Sequence, residues 1–120
     1  MPSDSEAGSR RDRDYLEHIR DAAAAIRRST AGGRERFFAD EDAFDAGLRR
    51  LHTIAESTQR LSTQLKDRHP EVPWTRIAGF RNRIVHAYMD VDPELIWSVI
   101  QDEVPALVEL AGRELDRSSA

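Results

Sequence analysis

The chain has 120 residues, a formal net charge of −4 and no cysteine. That length fits one domain with one modest core, and the missing thiols exclude disulfide staples, thiolate metal sites and thiol nucleophiles. The acidic balance argues against indiscriminate nucleic-acid binding but leaves room for a local basic site.

No run approaches the roughly 20 apolar residues of a membrane helix, and the N-terminus has neither the basic nor the apolar region of a secretory signal. The expected location is the cytoplasm, with no membrane partner. Lys66 is the single lysine among 18 basic residues, a bias that suits either an arginine-rich genome or bidentate phosphate recognition.

Residues 1–10 are small and polar with no apolar period, and 116–120 are similar, so both are expected as tails around one helical domain over 11–115. From residue 11 to about 29, Leu16, Ile19, Ala23 and Ile26 recur at steps of three and four, giving a helix with one apolar stripe. Ala31, Gly32 and Gly33 end it. Arg34 to Ala39 has room for one extra short helix. Asp40 then suits the N-cap of a long helix over residues 41–67, whose inner face carries Phe44, Leu48, Leu51, Ala55, Thr58 and Leu65. Pro70 and Pro73 bracket an ordered connector, with Pro73 placed to open a third helix. Trp74, Ile77, Phe80 and Ile84 form the stripe of that helix, which runs to about residue 87. Asp92 and Pro93 read as the cap and first turn of a fourth, with Ile96, Ile100, Val104 and Leu107 on one side. Pro105 lacks an amide hydrogen and should bend this helix near Gln101. Four amphipathic helices on short connectors imply an all-α, antiparallel four-helix bundle.

Common catalytic patterns are missing: the chain has no glycine-rich phosphate loop, no nucleophile elbow and no histidine pair at metal-binding spacing. His52 and Glu56 stand four apart but read as a solvated helix face, and His18 and His69 stand alone. Asp90, Asp92 and Glu94 make an acidic turn that capping by Asp92 already explains. No metal or other cofactor is expected.

The stretch from Trp74 to Tyr88 differs. Arg76, Arg81 and Arg83 fall within it without one acidic residue, while both flanks are acid-rich. Asn82 and His86 share a helical face, as do Arg81 and Tyr88. These residue types suit attack on a phosphodiester without a metal. An imidazole with a reference pKa of about 6.5 moves a proton near neutral pH, a guanidinium balances charge on a phosphorane, and an amide orients either. RNA supplies its own 2'-hydroxyl nucleophile, which favours it over DNA. Spacing alone also fits a helix with solvated arginines, since Arg13 and His18 repeat it. Arg81 and His86, five apart, point roughly 140° from each other on a straight helix, so one protomer converges them poorly.

Three stretches resemble the HEPN superfamily and, within it, the HepT-like ribonuclease toxins. They are Asp14-Tyr15-Leu16-Glu17-His18-Ile19, the segment from Pro70 through Phe80-Arg81-Asn82-Arg83-Ile84-Val85-His86-Ala87-Tyr88, and Val91-Asp92-Pro93-Glu94-Leu95-Ile96-Trp97 with the following Asp102-Glu103-Val104-Pro105-Ala106-Leu107. The family motif is Arg, a polar residue, His a few positions on, and Tyr two after the His; Arg81, Asn82, His86 and Tyr88 fill all four places. The resemblance implies a metal-independent endoribonuclease with Arg81 and His86 catalytic, Asn82 assisting, and Arg76 and Arg83 meeting RNA. It implies a homodimer whose two motifs share a cleft. It also implies a nucleotidyltransferase antitoxin that silences the toxin by adenylylating Tyr88. The alternative is a non-catalytic helical partner and modification target of such a nucleotidyltransferase. The segment Thr53-Ile54-Ala55-Glu56-Ser57-Thr58-Gln59 departs from the usual pattern, which touches partner pairing more than catalysis.

Overall fold

Each apolar stripe that recurs at helical spacing becomes a helix, and no strand occurs among the described residues. The computed structural model describes the backbone of residues 4–90 and 92–119 and the side chains of residues 8–79, 81–84 and 92–117. Four long rods form the all-α bundle: α1 (Asp4–Ser29), α3 (Glu41–Gln59), α5 (Trp74–Asp90), and a composite of α6 (Pro93–Ser98), one π-helical turn (Val99–Glu103) and α7 (Val104–Ser119). Two short helices, α2 (Arg34–Ala39) and α4 (Thr63–Asp67), fill the connections. α1 packs against α3 and α7, and α3 also packs against α5, which leans on α6. The core is built from Leu16, Ile19, Ala23 and Ile26 of α1, Leu48, Leu51, Ile54 and Ala55 of α3, Ile77 and Ile84 of α5, and Ile96, Ile100, Val104 and Leu107 of the composite rod, all buried. Ile54 joins the expected stripes, Thr58 and Leu65 are buried as expected, Phe44 and Trp74 are half-buried against the core, and Phe80 lies outside the described side chains.

The boundaries differ from expectation in three places. α1 begins at Asp4, upstream of the first apolar repeat, and α7 continues to Ser119, so turns expected as tails belong to helices. Near its start α1 carries a tertiary anchor: Asp12 is buried, and its carboxylate accepts the backbone N–H of Ser62 at 2.7 Å and the Ser62 hydroxyl. At the other end Leu115, past the fourth stripe, is buried too. The third difference is the helix expected over residues 41–67, which is two helices. Ser62 leaves helical geometry at φ −66 and ψ 155, and its hydroxyl accepts from the Leu65 N–H at 3.1 Å, which caps a new helix. The bond from Asp12 spans 50 positions of sequence, so local pattern did not reveal the break. The same contact joins the start of α1 to the end of α3 and makes the two antiparallel.

Other capping is as the sequence implies. Asp40 accepts from the Ala43 N–H at 3.1 Å and Asp92 from the Leu95 N–H at 3.2 Å, with Pro93 in the first turn of α6. Gly33 takes φ 96 between α1 and α2, a conformation that strains any residue with a Cβ. At the place where a bend is expected before Pro105, the turn Val99–Glu103 instead widens to π geometry, which relieves the clash between the proline ring and the carbonyl one turn earlier.

At the end of the bundle where α7 meets the connector after α4, Glu114 is 6 % exposed and accepts from Arg68 at 2.9 and 3.3 Å, with His69 Nε2 at 2.5 Å. Burial pushes the Glu114 carboxyl up, but the Arg68 and His69 hydrogen bonds outweigh it and hold the group below its ordinary range. A carboxyl depressed in the folded state contributes stability that is present above its unfolded pKa and lost as pH falls through the lower folded value. Glu114→Gln is therefore expected to cost about 1–3 kcal/mol at neutral pH. Thermal melts of both proteins across pH should show the gap in Tm closing below the ordinary carboxylate range; a gap that stays constant with pH would contradict this account.

Candidate functional site

α5 carries every residue singled out by its chemistry, and it is fixed at its start by Trp74. The indole N–H donates to the carbonyls of His69 at 2.9 Å and Lys66 at 3.1 Å, tying the first turn to the proline connector. Ile77 and Ile84, each 4 % exposed, then hold one face of the helix in the core. With those two turned inward, helical geometry sets where the arginines and Asn82 stand.

Arg81 and Asn82 are exposed, and Arg83 is half-buried. The helical backbone continues through Asp90, which keeps Asn82 and position 86 four apart on one face. The side chains of His86 and Tyr88 lie outside the described residues.

The arginine-rich stretch, free of acids in the sequence, meets acids from other elements in space. Arg81 Nε stands 2.8 Å from Oε1 of Glu56 on α3. Arg83 donates through Nη2 to both carboxylate oxygens of Glu103 at 2.9 and 3.0 Å and to the Arg76 carbonyl at 3.3 Å. Arg76 Nε lies 3.2 Å from the same carboxylate. Glu103 ends the π-helical turn and is 8 % exposed, so a buried anion is shared by two guanidinium groups, as a buried carboxylate requires. The arginines thus divide by role. Arg76 and Arg83 clasp α5 to the composite rod, while Arg81, with 45 % of its side chain exposed, reaches across to α3.

Two residues of this arrangement escaped sequence reasoning. In the sequence Glu103 carries no signal beyond the resemblance of its stretch, and Glu56 reads with His52 as a solvated face. Their signal lies in pairing between helices, which spacing within one helix does not carry. His52 does neighbour Glu56, at 3.8 Å, and Arg60 Nε approaches the second oxygen of the same carboxylate at 4.0 Å. Among the described residues, no group of three or more histidine, aspartate or glutamate side chains stands together as a metal site would require, and no helix is long and apolar enough to cross a membrane.

A fixed guanidinium on an exposed helix face, with an amide beside it, can bind and orient a phosphodiester and balance charge that grows on it. The family profile described as ribonuclease HepT-like matches residues 19–113, which includes all of α3 and α5. The chain belongs to the ribonuclease HepT-like family. Among its relatives, the "Probable ribonuclease HepT" of Thermococcus cleftensis is 33 % identical over 96 residues, covering 79 % of this chain and 87 % of the relative. The "Putative RNase TTE0752" of Caldanaerobacter subterraneus subsp. tengcongensis is 35 % identical over 96 residues, covering 79 % of this chain and 86 % of the relative. A "Putative RNase MJ0127" of Methanocaldococcus jannaschii is 28 % identical over 92 residues, covering 77 % and 74 % of the two chains. No solved structure gives a significant match. For this HepT-like chain, the match agrees with the resemblance carried by the motif from Arg81 to Tyr88.

Proposed function

We propose that this chain is an endoribonuclease that cuts RNA without a metal ion and acts as the toxin of a toxin–antitoxin pair. Family membership and the ribonuclease names of its relatives support the activity. The observation that carries the reading to a site is the guanidinium of Arg81, held at Nε and 45 % exposed on the helix that also bears Asn82 and His86. In this reaction the 2'-hydroxyl of the RNA attacks the adjacent phosphorus. The new O2'–P bond forms as the P–O5' bond breaks, leaving a 2',3'-cyclic phosphate and a 5'-hydroxyl. His86 moves the proton from O2' or to O5', Arg81 balances the phosphorane charge, and Asn82 orients the phosphate or the imidazole. Arg76 and Arg83, which share Glu103, are the proposed contacts to the RNA backbone.

A second copy of the chain completes the site in this reading, because the arginine and the histidine diverge on one helix. One His86 then serves as base and the other as acid. The antitoxin is a nucleotidyltransferase that places adenylate on Tyr88, adding a bulky anion where RNA must enter.

The test is incubation of the purified protein with an RNA and with the DNA of the same sequence, both in EDTA. Cut RNA bearing cyclic-phosphate ends beside intact DNA is the expected result, and uncut RNA would overturn the reading. A second reading, a non-catalytic partner and modification target of a nucleotidyltransferase, is favoured by one observation: Arg76, Arg81 and Arg83 all stand against carboxylates. It predicts a nucleotide-sized mass on Tyr88 after co-expression with such an enzyme, with no RNA cleaved.

A further inference from the structure

We propose that Glu56 is a positioning residue for Arg81, holding the guanidinium in the attitude in which it meets the scissile phosphate; this rests on the ribonuclease reading above. Arginine is a long, rotamer-rich side chain, and 45 % of this one is exposed. Left to itself it would spread over many orientations, few of them able to stabilise a phosphorane. Glu56 restricts that spread by standing 2.8 Å from Nε, the inner nitrogen. A carboxylate there tethers the guanidinium to α3 through an ion pair and narrows the set of orientations it samples.

Glu56 is suited to the task because it is itself held. Its neighbours on α3, Ile54, Ala55, Ser57 and Thr58, are each at most 4 % exposed, so the backbone beneath it is among the most tightly packed in the bundle. Its carboxylate is flanked on its own helix by His52 Nε2, 3.8 Å from Oε1, and by Arg60 Nε, 4.0 Å from Oε2. Oε1 is the oxygen presented to Arg81. A functional group mounted on a tightly packed helix places its partner more accurately than one on a loop.

The same carboxylate is an anion close to where an anionic substrate must bind, which gives the role a signature that general loss of stability would not give. Removing it loosens Arg81, so the chemical step slows; it also removes a repulsion, so RNA binds more tightly. Steady-state cleavage by Glu56→Ala should show kcat lowered about tenfold or more together with a lower KM. Glu56→Gln, which keeps the shape and one acceptor oxygen, should fall between Glu56→Ala and wild type. In an Arg81→Ala background, Glu56→Ala should change kcat no further, since the group it positions is gone. A kcat within twofold of wild type in both Glu56 variants, or an equal further loss in the Arg81→Ala background, would overturn the role of Glu56 while leaving the ribonuclease reading intact. A wild-type protein that leaves RNA uncut would overturn both.

Discussion

Arg81→Ala is expected to lower RNA cleavage by about 10²–10³ in kcat, the range found when a positioned donor to a developing oxyanion is removed. His86→Ala should lose about 10²–10⁴, the usual share of a general acid or base. Arg81 stands on the exposed side of α5 and pairs with Glu56 of α3, and the burial of Ile77 and Ile84 holds the helix without it. Truncation should therefore leave the fold close to wild type and remove charge from the site. Arg81→Lys is the sharper variant. It retains a cation but replaces the planar fork with a point charge, so it should recover little of the loss. Gel analysis of a labelled RNA, with far-UV circular dichroism to match the folds, reads all three variants. Arg81→Ala cleaving at the wild-type rate would show that the guanidinium takes no part in the chemistry.

The largest expected effect on stability comes from Phe37→Ala. α2 has six residues, far short of what an isolated helix needs to persist in water. It is held by Phe37, 1 % exposed, whose ring meets Phe38, Phe44 and Trp97 with centroids 5.1, 5.9 and 6.1 Å away. An ion pair between Arg34 and Glu94 adds a surface latch to α6. Removing the ring leaves a cavity among α2, α3 and α6 and should cost about 3–5 kcal/mol. That is a large part of the roughly 5–15 kcal/mol that holds a small domain folded. Calorimetry should show Tm lower by roughly 10–25 °C. Gly47 provides an internal control, because a Cβ there would stand 2.7 Å from Cζ and 2.8 Å from Cε2 of Phe37. Gly47→Ala should therefore destabilise the wild type by overpacking, about 1–3 kcal/mol less the helix propensity that alanine gains. In the Phe37→Ala background the clash is gone and the same substitution should stabilise. A Gly47→Ala effect of the same size in both backgrounds would show that the two positions do not interact.

These residues also show how much of the molecule can be read from its sequence. The stripe from Leu16 to Ile26, the caps at Asp40 and Asp92 and the disturbance before Pro105 are local, and the structure contains each of them. The break at Ser62 is only partly local: the long apolar period of residues 44–65 fits one helix, whereas the Ser62 hydroxyl caps α4 and the Asp12 carboxylate arriving from α1 binds Ser62 at the break. The site divides in the same way. Arg76, Arg81, Asn82 and Arg83 could be selected on one helix from residue type and spacing. Glu56 and Glu103 could not, because their relation to α5 is created by packing between helices. A stretch that reads as an unopposed positive patch is thus, in the folded chain, a set of guanidinium groups each facing an acid. That changes what the arginines can do. Charge alone does not distinguish them, whereas the identity of the partner sets Arg81, on Glu56 of α3, apart from the pair on Glu103.

The helix bearing Arg81 is expected to cut RNA with its own side chains. One experiment addresses it most directly: wild type and Arg81→Ala, matched in fold and concentration, are incubated with the same RNA in EDTA and the products resolved over time. The account predicts cleavage by the wild type and at least a hundredfold slower cleavage by the variant. Cleavage that EDTA abolishes, or that Arg81→Ala retains, would contradict it.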